Sequence, residues 1–453
     1  MQQRPALRVI PMQLSQFRLF AIHLSWCAAA MAAYSKPCWA QQTAAGAVAA
    51  PSSVIPNAPA SSAPLKLPYQ GESPTLERVL GLARERAPEI VAARAEVEES
   101  RAATVGARVS PLLNPYLEVI AERGSRNITH DVYVTAQLHT PLEVAGQRGR
   151  RIAAAESFVQ WHESALAQTR AQIAGAAVRS YGECVAWTAR FETLAELLAS
   201  AATEAAVMRA RRDAGDATER DAQLAELERA RIAVQLEETK ASLGAALSEL
   251  ARLAGQRFGT PSTAHLFPPV QLTAPPSTYA QSAPVVQNAE AESRFHARSE
   301  ERFDRERVPP VTVILQGGRG DYGETRLGAG LAWTLPAFRY NQGERAHARA
   351  ASSRARVQAS AYRSSIAQRL AAIEEEGSHL RAAVERLDHE AIPAAALATE
   401  SATSMQIAGK TDLLSVVVAR RDLFVLKLRR LEIAERAWAL LGEWVELTGK
   451  MPQ

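Results

Sequence analysis

Pro115-Tyr116-Leu117-Glu118-Val119 has a counterpart 195 positions further along the chain, Pro310-Val311-Thr312-Val313-Ile314. Segments on either side of this stretch also recur, at an offset of 195 or 194 residues. They pair Pro141 with Pro336, Gln147 with Gln342, Ala214-Gly215 with Ala408-Gly409, and Leu247-Ser248-Glu249-Leu250 with Leu441-Gly442-Glu443-Trp444. A duplication of this size predicts two copies of one structural unit that pack side by side in pseudo-symmetry.

The N-terminus has the features of a secretory signal peptide. A basic region precedes an apolar stretch from Leu19 to Ala33, and the small-x-small motif Cys38-Trp39-Ala40 follows. These features predict a signal peptide at 1–40, because a membrane anchor would need a longer apolar run. A lipid-anchored cysteine is the alternative, but neither Cys27 nor Cys38 follows the small residues that such processing needs.

Composition sets the other boundaries. We predict a low-complexity segment at 41–74, repeat 1 at 75–255, a Pro-rich connector at 256–283 and repeat 2 at 284–450. Hydrophobic residues make up 47% of the chain and are largely alanine, whereas aromatic residues are only 6%, which favours helices. The net charge of +4 is small beside 52 basic and 48 acidic residues, so no nucleic-acid partner is predicted.

Each repeat contains two alternating stretches, which predict β-hairpins at about 115–140 and 310–336. Alternation over about ten residues is typical of a barrel wall with an apolar outside and a polar lumen. A soluble antiparallel sheet that covers a core fits the alternation equally well. The residues predicted to face a lumen are Glu118, Glu122, Tyr133, Gln137 and Arg326.

Apolar residues recur at every seventh position after each hairpin, from Ile152 to Met208 and again from Ile366 to Ala394. Such heptads predict supercoiled helices, and a helix over 142–212 would be about 105 Å long at 1.5 Å per residue. Each long helix ends at a glycine, Gly215 or Gly409, and a return helix follows. Two hairpins cannot close a barrel, so the chain is predicted to oligomerise.

The duplication, together with three motifs, resembles the TolC family of outer-membrane efflux proteins. The motifs are Ala87-Pro88-Glu89-Ile90, Pro141-Leu142-Glu143-Val144-Ala145-Gly146-Gln147-Arg148 and Gln406-Ile407-Ala408-Gly409-Lys410-Thr411-Asp412-Leu413-Leu414. The resemblance implies a mainly α homotrimer with a periplasmic helical tunnel and a shared 12-stranded outer-membrane β-barrel. It also implies two protein partners, a periplasmic adaptor (membrane fusion protein) and an inner-membrane pump.

Within that family the chain is most similar to the CzcC-type branch, which serves heavy-metal pumps of the resistance-nodulation-division (RND) class. Leu113-Asn114-Pro115 and Leu142-Glu143-Val144-Ala145-Gly146-Gln147-Arg148 carry this similarity, whereas Leu335-Pro336-Ala337-Phe338-Arg339-Tyr340-Asn341-Gln342 departs from it. The resemblance therefore implies a passive duct for heavy-metal cations. A duct for drugs or a secreted polypeptide is one alternative, and an exported coiled-coil scaffold or adhesin is another.

The resemblance further implies a periplasmic gate at the helical reversals. The candidate residues are Gly215, Asp216, Asp221, Gly409, Lys410 and Ser415. The family often places an aspartate six residues after the turn glycine, where this chain has Asp221 in repeat 1 and Ser415 in repeat 2. A ring of Asp221 from three chains would attract cations. A simple preference for acids at helix N-termini explains Asp216 and Asp221 equally well.

Motifs of catalysis are not found in the sequence, so we predict neither an enzyme nor a cofactor. The histidines, among them His139 and His162, lack metal-ligand spacing, so they are expected at the surface and no metal site is predicted. Cys184, the only cysteine after residue 40, is expected to be a packed apolar thiol.

The predicted location is the outer membrane of a Gram-negative cell, in contact with its lipid, with a long periplasmic extension.

Overall fold

The computed structural model describes residue 69 and residues 71–126, 129–268, 276–319 and 324–451. The predicted signal peptide at 1–40 and most of the low-complexity segment at 41–74 lie outside these residues. The described part is mainly helical and contains one small sheet, as the sequence predicted.

Two helices open the described chain, α1 (Leu76–Arg86) and α2 (Pro88–Ala107). The sequence alone, with Pro111 as the next helix breaker, predicts one continuous helix from Thr75 to about Val109. This prediction is wrong at Ala87. Ala87 is extended, with ψ at 131°, because a residue before proline is disfavoured in the helical region. Pro88 then starts α2 at the first helical position, where its missing N–H costs nothing.

Four antiparallel strands form a single sheet in the order β1-β2-β3-β4. They are β1 (Tyr116–Arg126), β2 (Thr129–Leu142), β3 (Val311–Arg319) and β4 (Thr325–Trp333). The two hairpins join where β2 pairs with β3, with Leu138 opposite Leu315. β1 and β4 are therefore the edges of the sheet, and within the described residues neither has a partner on its outer side.

The remaining elements are helical. They are α3 (Gln147–Asp213), α4 (Glu219–Ala254), α5 (Pro276–Gln281), α6 (Pro284–Glu306), α7 (Gln342–Arg386), a π-helical turn (Leu387–Ala391), α8 (Ile392–Ile407) and α9 (Leu413–Thr448). α3 has 67 residues, which gives it a length of about 100 Å at 1.5 Å per residue. In the described part of the chain, none of the helices has the apolar length that crossing a membrane requires.

The π-helical turn is a structural difference between the two repeats. It interrupts the long helix of repeat 2, whereas α3 runs unbroken through the corresponding positions of repeat 1. Pro393 is the second residue of α8, and its ring would clash with the carbonyl of His389 in a regular α-helix. The wider π turn removes that conflict. Asp388 within the turn accepts two hydrogen bonds from Arg430 of α9, at 2.6 and 3.1 Å, which fixes the turn against its neighbour.

The long helices form a layer in the order α4-α3-α9-α8, because α3 packs against α4 and α9 while α8 packs against α9. Small residues bring α3 and α9 close together, where Gly175 meets Gly442 and Gly182 faces Trp438. Cys184 is fully buried in the same core, as predicted. Burial raises the pKa of its thiol to about 12, so it is a packing group and not a nucleophile.

The two outer helices of this layer expose apolar side chains. α4 exposes Leu227 and Val234, and α8 exposes Leu397 and Ile407. α8 is the more extreme case, since it has no buried residue at all. An apolar helix that is uncovered in the single chain needs a neighbouring surface to cover it.

Candidate functional site

The five residues predicted to face a lumen lie on one face of the sheet. Directly opposed residues share a face, and the ladder pairs Glu118 with Gln137, Gln137 with Gln316, Glu122 with Tyr133, and Arg326 with Gly318. The remaining residues of this face follow at a period of two. The result is a face that carries polar side chains from all four strands, together with Ile120 and Ile314, and that carries both carboxylates of β1.

The opposite face of the sheet is apolar and exposed. It presents Leu117, Val119, Leu138, Leu315, Leu327 and Leu331, and the side chain of Leu327 is 85% exposed. These residues come from all four strands, so they form one patch and not isolated apolar positions. Soluble monomers rarely expose an apolar surface of this extent, so the patch needs a nonaqueous neighbour.

His139 lies on the polar face and is only 8% exposed, so the expectation of a surface histidine is wrong for this residue. Tyr116 on β1 covers it by stacking, with ring centroids 4.4 Å apart and an interplanar angle of 6°. Its Nε2 lies 3.1 Å from a carboxylate oxygen of Glu118, but the alignment is too poor for a hydrogen bond. Only the strand register brings these three residues together, so their separation along the chain concealed the cluster.

The first helical reversal joins α3 to α4 through Gly215, whose φ is 82°. The N–H of Gly215 donates to Arg212 O at 2.9 Å, and that of Asp216 donates to Arg211 O at 2.7 Å. These two bonds satisfy the last carbonyls of α3 in a Schellman arrangement. The roles of Gly215 and Asp216 in the turn are thus carried by the backbone, and the Asp216 side chain stays exposed.

Asp221 caps the N-terminus of α4 together with Thr218. The Asp221 N–H donates to Thr218 Oγ1 at 3.2 Å, and Thr218 donates from its hydroxyl to Asp221 Oδ2 at 2.7 Å. The backbone N–H of Thr218 also points at Oδ2, which completes a capping box. One carboxylate oxygen is therefore used by the cap.

The second reversal repeats this geometry between α8 and α9. Gly409 has φ at 68°, and Lys410 donates its N–H to Met405 O at 2.9 Å. Asp412 is the N-cap of α9 and accepts from the backbone N–H and the hydroxyl of Ser415, at 3.1 and 2.6 Å. These bonds lower the pKa of Asp412, with the Ser415 hydroxyl contributing most, so its carboxylate stays charged.

The two turns exchange the positions of hydroxyl and carboxylate. Thr218 corresponds to Asp412 and Asp221 to Ser415, both at the offset of 194. Each turn therefore places one hydroxyl and one carboxylate at a helix N-terminus, although in opposite order. The residue of repeat 2 at the position of Asp221 is Ser415, so Asp412 is not among the gate residues that the sequence predicts. Its place directly before the apolar start of α9, Leu413-Leu414, was the available signal.

An ion pair joins the helical hairpin α3–α4 to the helical hairpin α8–α9 near the two reversals. Arg420 of α9 is paired with Glu204 of α3, and both side chains are largely shielded from solvent. The pair borders a cavity of about 110 Å³ between α3, α4 and α9, which is also lined by Leu197, Ile232 and Phe424. Separating α9 from α3 at this level would expose both charges and this apolar lining.

Among the described residues there is no group of three or more His, Cys, Asp or Glu side chains placed to hold a metal ion. The acidic side chains at the reversals are spread over two separate helix N-termini. These carboxylates can attract a cation as a charged surface, but they do not form a metal-coordination site.

No protein-family profile matches the chain. Among curated proteins it is 29% identical over 371 residues to the cobalt-zinc-cadmium resistance protein CzcC of Cupriavidus metallidurans, which covers 79% of this chain and 86% of CzcC. That relationship extends over most of both chains, so the whole arrangement of repeats is shared and not a single motif.

Two solved structures show the same fold. The outer membrane protein VceC of Vibrio cholerae superposes with a TM-score of 0.63 at 20% identity, over 81% of this chain and 93% of VceC. The CmeC outer membrane channel of Campylobacter jejuni gives a TM-score of 0.65 at 15% identity, over 83% of this chain and 85% of CmeC. VceC is described as an outer membrane protein and CmeC as an outer membrane channel.

Proposed function

We propose that this homologue of CzcC, which has the fold of the TolC-type outer-membrane channels, is the outer-membrane duct of a tripartite efflux system. It would work passively, together with a periplasmic adaptor and an inner-membrane RND pump. The long helices would extend from the membrane into the periplasm, and the two helical reversals would be the entrance. Neither CzcC nor the superposed outer-membrane proteins support the alternative of an exported scaffold or adhesin.

One observation carries the proposal: a sheet with one polar face, one exposed apolar face and two free edges. Four strands cannot enclose a lumen, and free strand edges are not tolerated in lipid. Three copies joined edge to edge would give twelve strands, with the face of Glu118 and Gln137 inside and the face of Leu327 and Leu331 against lipid. The exposed apolar sides of α4 and α8 would meet in the same assembly.

The entrance would be controlled at the reversals. Asp221 and Asp412 each place a carboxylate at a helix N-terminus, and three copies would bring six of them to one end of the duct. Such a constriction attracts cations and repels anions. Opening would move α9 away from α3, and the buried contact between Glu204 and Arg420 would have to break. The pump partner would supply the energy for this step.

We further propose that the cargo is heavy-metal cations. CzcC is named for resistance to cobalt, zinc and cadmium, and its relationship to this chain extends over most of both proteins. The carboxylates of Asp221 and Asp412 at the reversals, and those of Glu118 and Glu122 on the polar sheet face, suit a positively charged cargo. The duct itself needs no coordination site, because passage requires weak and not tight binding.

The entrance proposal predicts a change in ion selectivity for the double variant Asp221→Asn, Asp412→Asn. Asparagine accepts the same capping hydrogen bonds, so α4 and α9 should remain capped and the melting temperature unchanged. Without the carboxylates, the preference of the open channel for K⁺ over Cl⁻ should fall several-fold in planar bilayers. Glu237→Gln, which removes an exposed carboxylate from the side of α4, is the matched control and should leave selectivity unaltered. Unchanged selectivity in the double variant would assign both aspartates to helix capping alone.

The cargo proposal is tested in the host cell. Deletion of the gene should lower the minimal inhibitory concentrations of zinc, cobalt and cadmium, and the wild-type gene should restore them. Tolerance of detergents and organic antibiotics should not change. If the deletion sensitised cells to drugs while metal tolerance stayed normal, the duct would stand and the metal cargo would be wrong.

A further inference from the structure

The segment Leu335–Tyr340, between β4 and α7, forms an ordered turn that exposes apolar side chains to solvent. Phe338 is 89% exposed, and Leu335 and Tyr340 are also exposed. The turn is fixed at three points: Ala337 N–H donates to Leu335 O at 2.9 Å, Gln342 Nε2 donates to Phe338 O at 3.3 Å, and Tyr340 N–H donates to Gln342 Oε1 at 3.0 Å. Its aromatic rings are thus presented outward by a defined backbone.

The corresponding turn of repeat 1 shows that this exposure is not required by the architecture. Gln147, the counterpart of Gln342, makes the equivalent bond by accepting from Ala145 N–H at 2.8 Å. At the position of Phe338, however, repeat 1 has Glu143, whose carboxylate turns inward to Arg151 at 2.5 Å and is almost fully covered. The same turn therefore hides an ion pair in one repeat and displays an aromatic ring in the other.

Arginines surround this segment at the junction between the sheet and the helices. Hydrogen bonds show that four parts of the chain meet here, since Asn341 Nδ2 donates to Phe303 O, Gln147 Nε2 to Val308 O, and Arg148 Nε to Val109 O. The meeting segments, 105–111, 143–151, 301–310 and 335–345, contain nine arginines and five carboxylates. Five of these arginines are exposed: Arg108, Arg148, Arg305, Arg307 and Arg339.

The junction also marks the end of the apolar sheet face. β4 has nine residues and is therefore about 30 Å long at 3.3 Å per residue. Its last residue is Trp333, close to Leu335 in the sequence. An outer-membrane apolar band is about 25 Å tall and is bordered by aromatic residues at both interfaces. Phe338 and the exposed arginines thus lie just beyond the apolar sheet face, where the helical part of the chain begins.

We infer that this arginine-rich junction, centred on Phe338 and Arg339, is a binding surface for anionic phospholipid of the inner leaflet of the outer membrane. The aromatic rings enter the acyl chains just below the headgroups, where such rings are favoured. The guanidinium groups bind lipid phosphates, for which arginine has the matching geometry. Repeat 2 supplies the rings, so each chain of the assembly is anchored at one hairpin exit and not at both. The inference rests on the proposed function and adds its lipid partner.

Spin labelling of the full chain in phospholipid nanodiscs tests the position of Phe338. The variants Phe338→Cys, Leu331→Cys and Val91→Cys are made in a Cys184→Ser background, since Cys27 and Cys38 lie in the predicted signal peptide. Labels at 338 and 331 should relax faster with oxygen than with an aqueous nickel complex, whereas the exposed Val91 position on α2 should show the reverse. A label at 338 that is accessible to nickel, or to neither reagent, would overturn the inference. If the label at 331 were also aqueous, the proposed membrane role of the sheet would fail as well.

A second arm tests the charge. Native mass spectrometry of the wild-type protein with phosphatidylglycerol or phosphatidylcholine should show several-fold more bound phosphatidylglycerol. The variant Arg307→Gln, Arg339→Gln should lose this preference, and Arg421→Gln, an exposed arginine on α9, should keep it. Equal binding of the two lipids by the wild type, or a preference that survives the double substitution, would contradict phosphate recognition at this junction.

Discussion

Replacing Gly182 by alanine is expected to disrupt the packing of α3 on α9 more than any other single added methyl group. A Cβ atom on Gly182 would overlap Cβ and Cγ of Trp438, which lie next to the α9 backbone and cannot rotate away. Trp438 is held in place on its other side, where its indole N–H donates to Leu266 O at 2.8 Å. Overpacking of this kind costs about 3 kcal/mol or more when the obstructing atoms are close to the backbone.

Circular dichroism melts of the detergent-extracted protein measure this effect. Gly182→Ala should lower the midpoint by many degrees or prevent accumulation of the folded protein. Gly377→Ala in α7 is the matched control, because a Cβ there meets open space and alanine is favoured over glycine in a helix by about 1 kcal/mol. In a Trp438→Gly background, which removes both obstructing atoms, the added methyl should cost much less. Equal melting of Gly182→Ala and the wild type would show that α3 and α9 do not approach as described.

The sequence predicted the repeated unit well, because hydrophobic periodicity records which side of each element is covered. The period of two around Leu117 and Leu327 and the period of seven from Ile152 to Met208 both appear as strands and helices in the structure. The glycine turns were equally readable, since Gly215 and Gly409 both adopt the left-handed backbone. These features depend only on neighbours along the chain.

Departures from the prediction arise where a local exception overrides the periodic pattern. Ala87 breaks the first helix because Pro88 follows it, although the apolar spacing continues through that point. Pro393 likewise converts the heptad run from Ile366 to Ala394 into α-helix, π turn and α-helix. In both places the proline was visible in the sequence, and its backbone restriction outweighs the pattern of side chains.

The candidate sites were harder to predict, since they depend on contacts between distant parts of the chain. His139 is buried because the strand register stacks Tyr116 upon it, 23 positions away in the sequence. The pairing of Glu204 with Arg420 joins residues of different repeats, and nothing in either helix specifies it. Asp412 was overlooked because the two turns exchange hydroxyl and carboxylate, so a search by equivalent position fails.

Association of three chains is the second large effect that we expect. A single chain exposes the apolar sheet face, both sheet edges and the uncovered sides of α4 and α8. Burying apolar area stabilises by about 25 cal/mol per Å², so covering these surfaces together should make the assembly far more stable than the separate chains. An isolated chain should therefore aggregate in water, whereas the detergent-extracted form should resist dissociation.

Native mass spectrometry of the detergent-extracted protein, with the micelle removed in the gas phase, tests this central claim most directly. We predict one dominant species at three times the mass of the single polypeptide, recovered from the outer-membrane fraction and lost from solution when detergent is withdrawn. A water-soluble species with the mass of one chain, stable without detergent, would contradict the account.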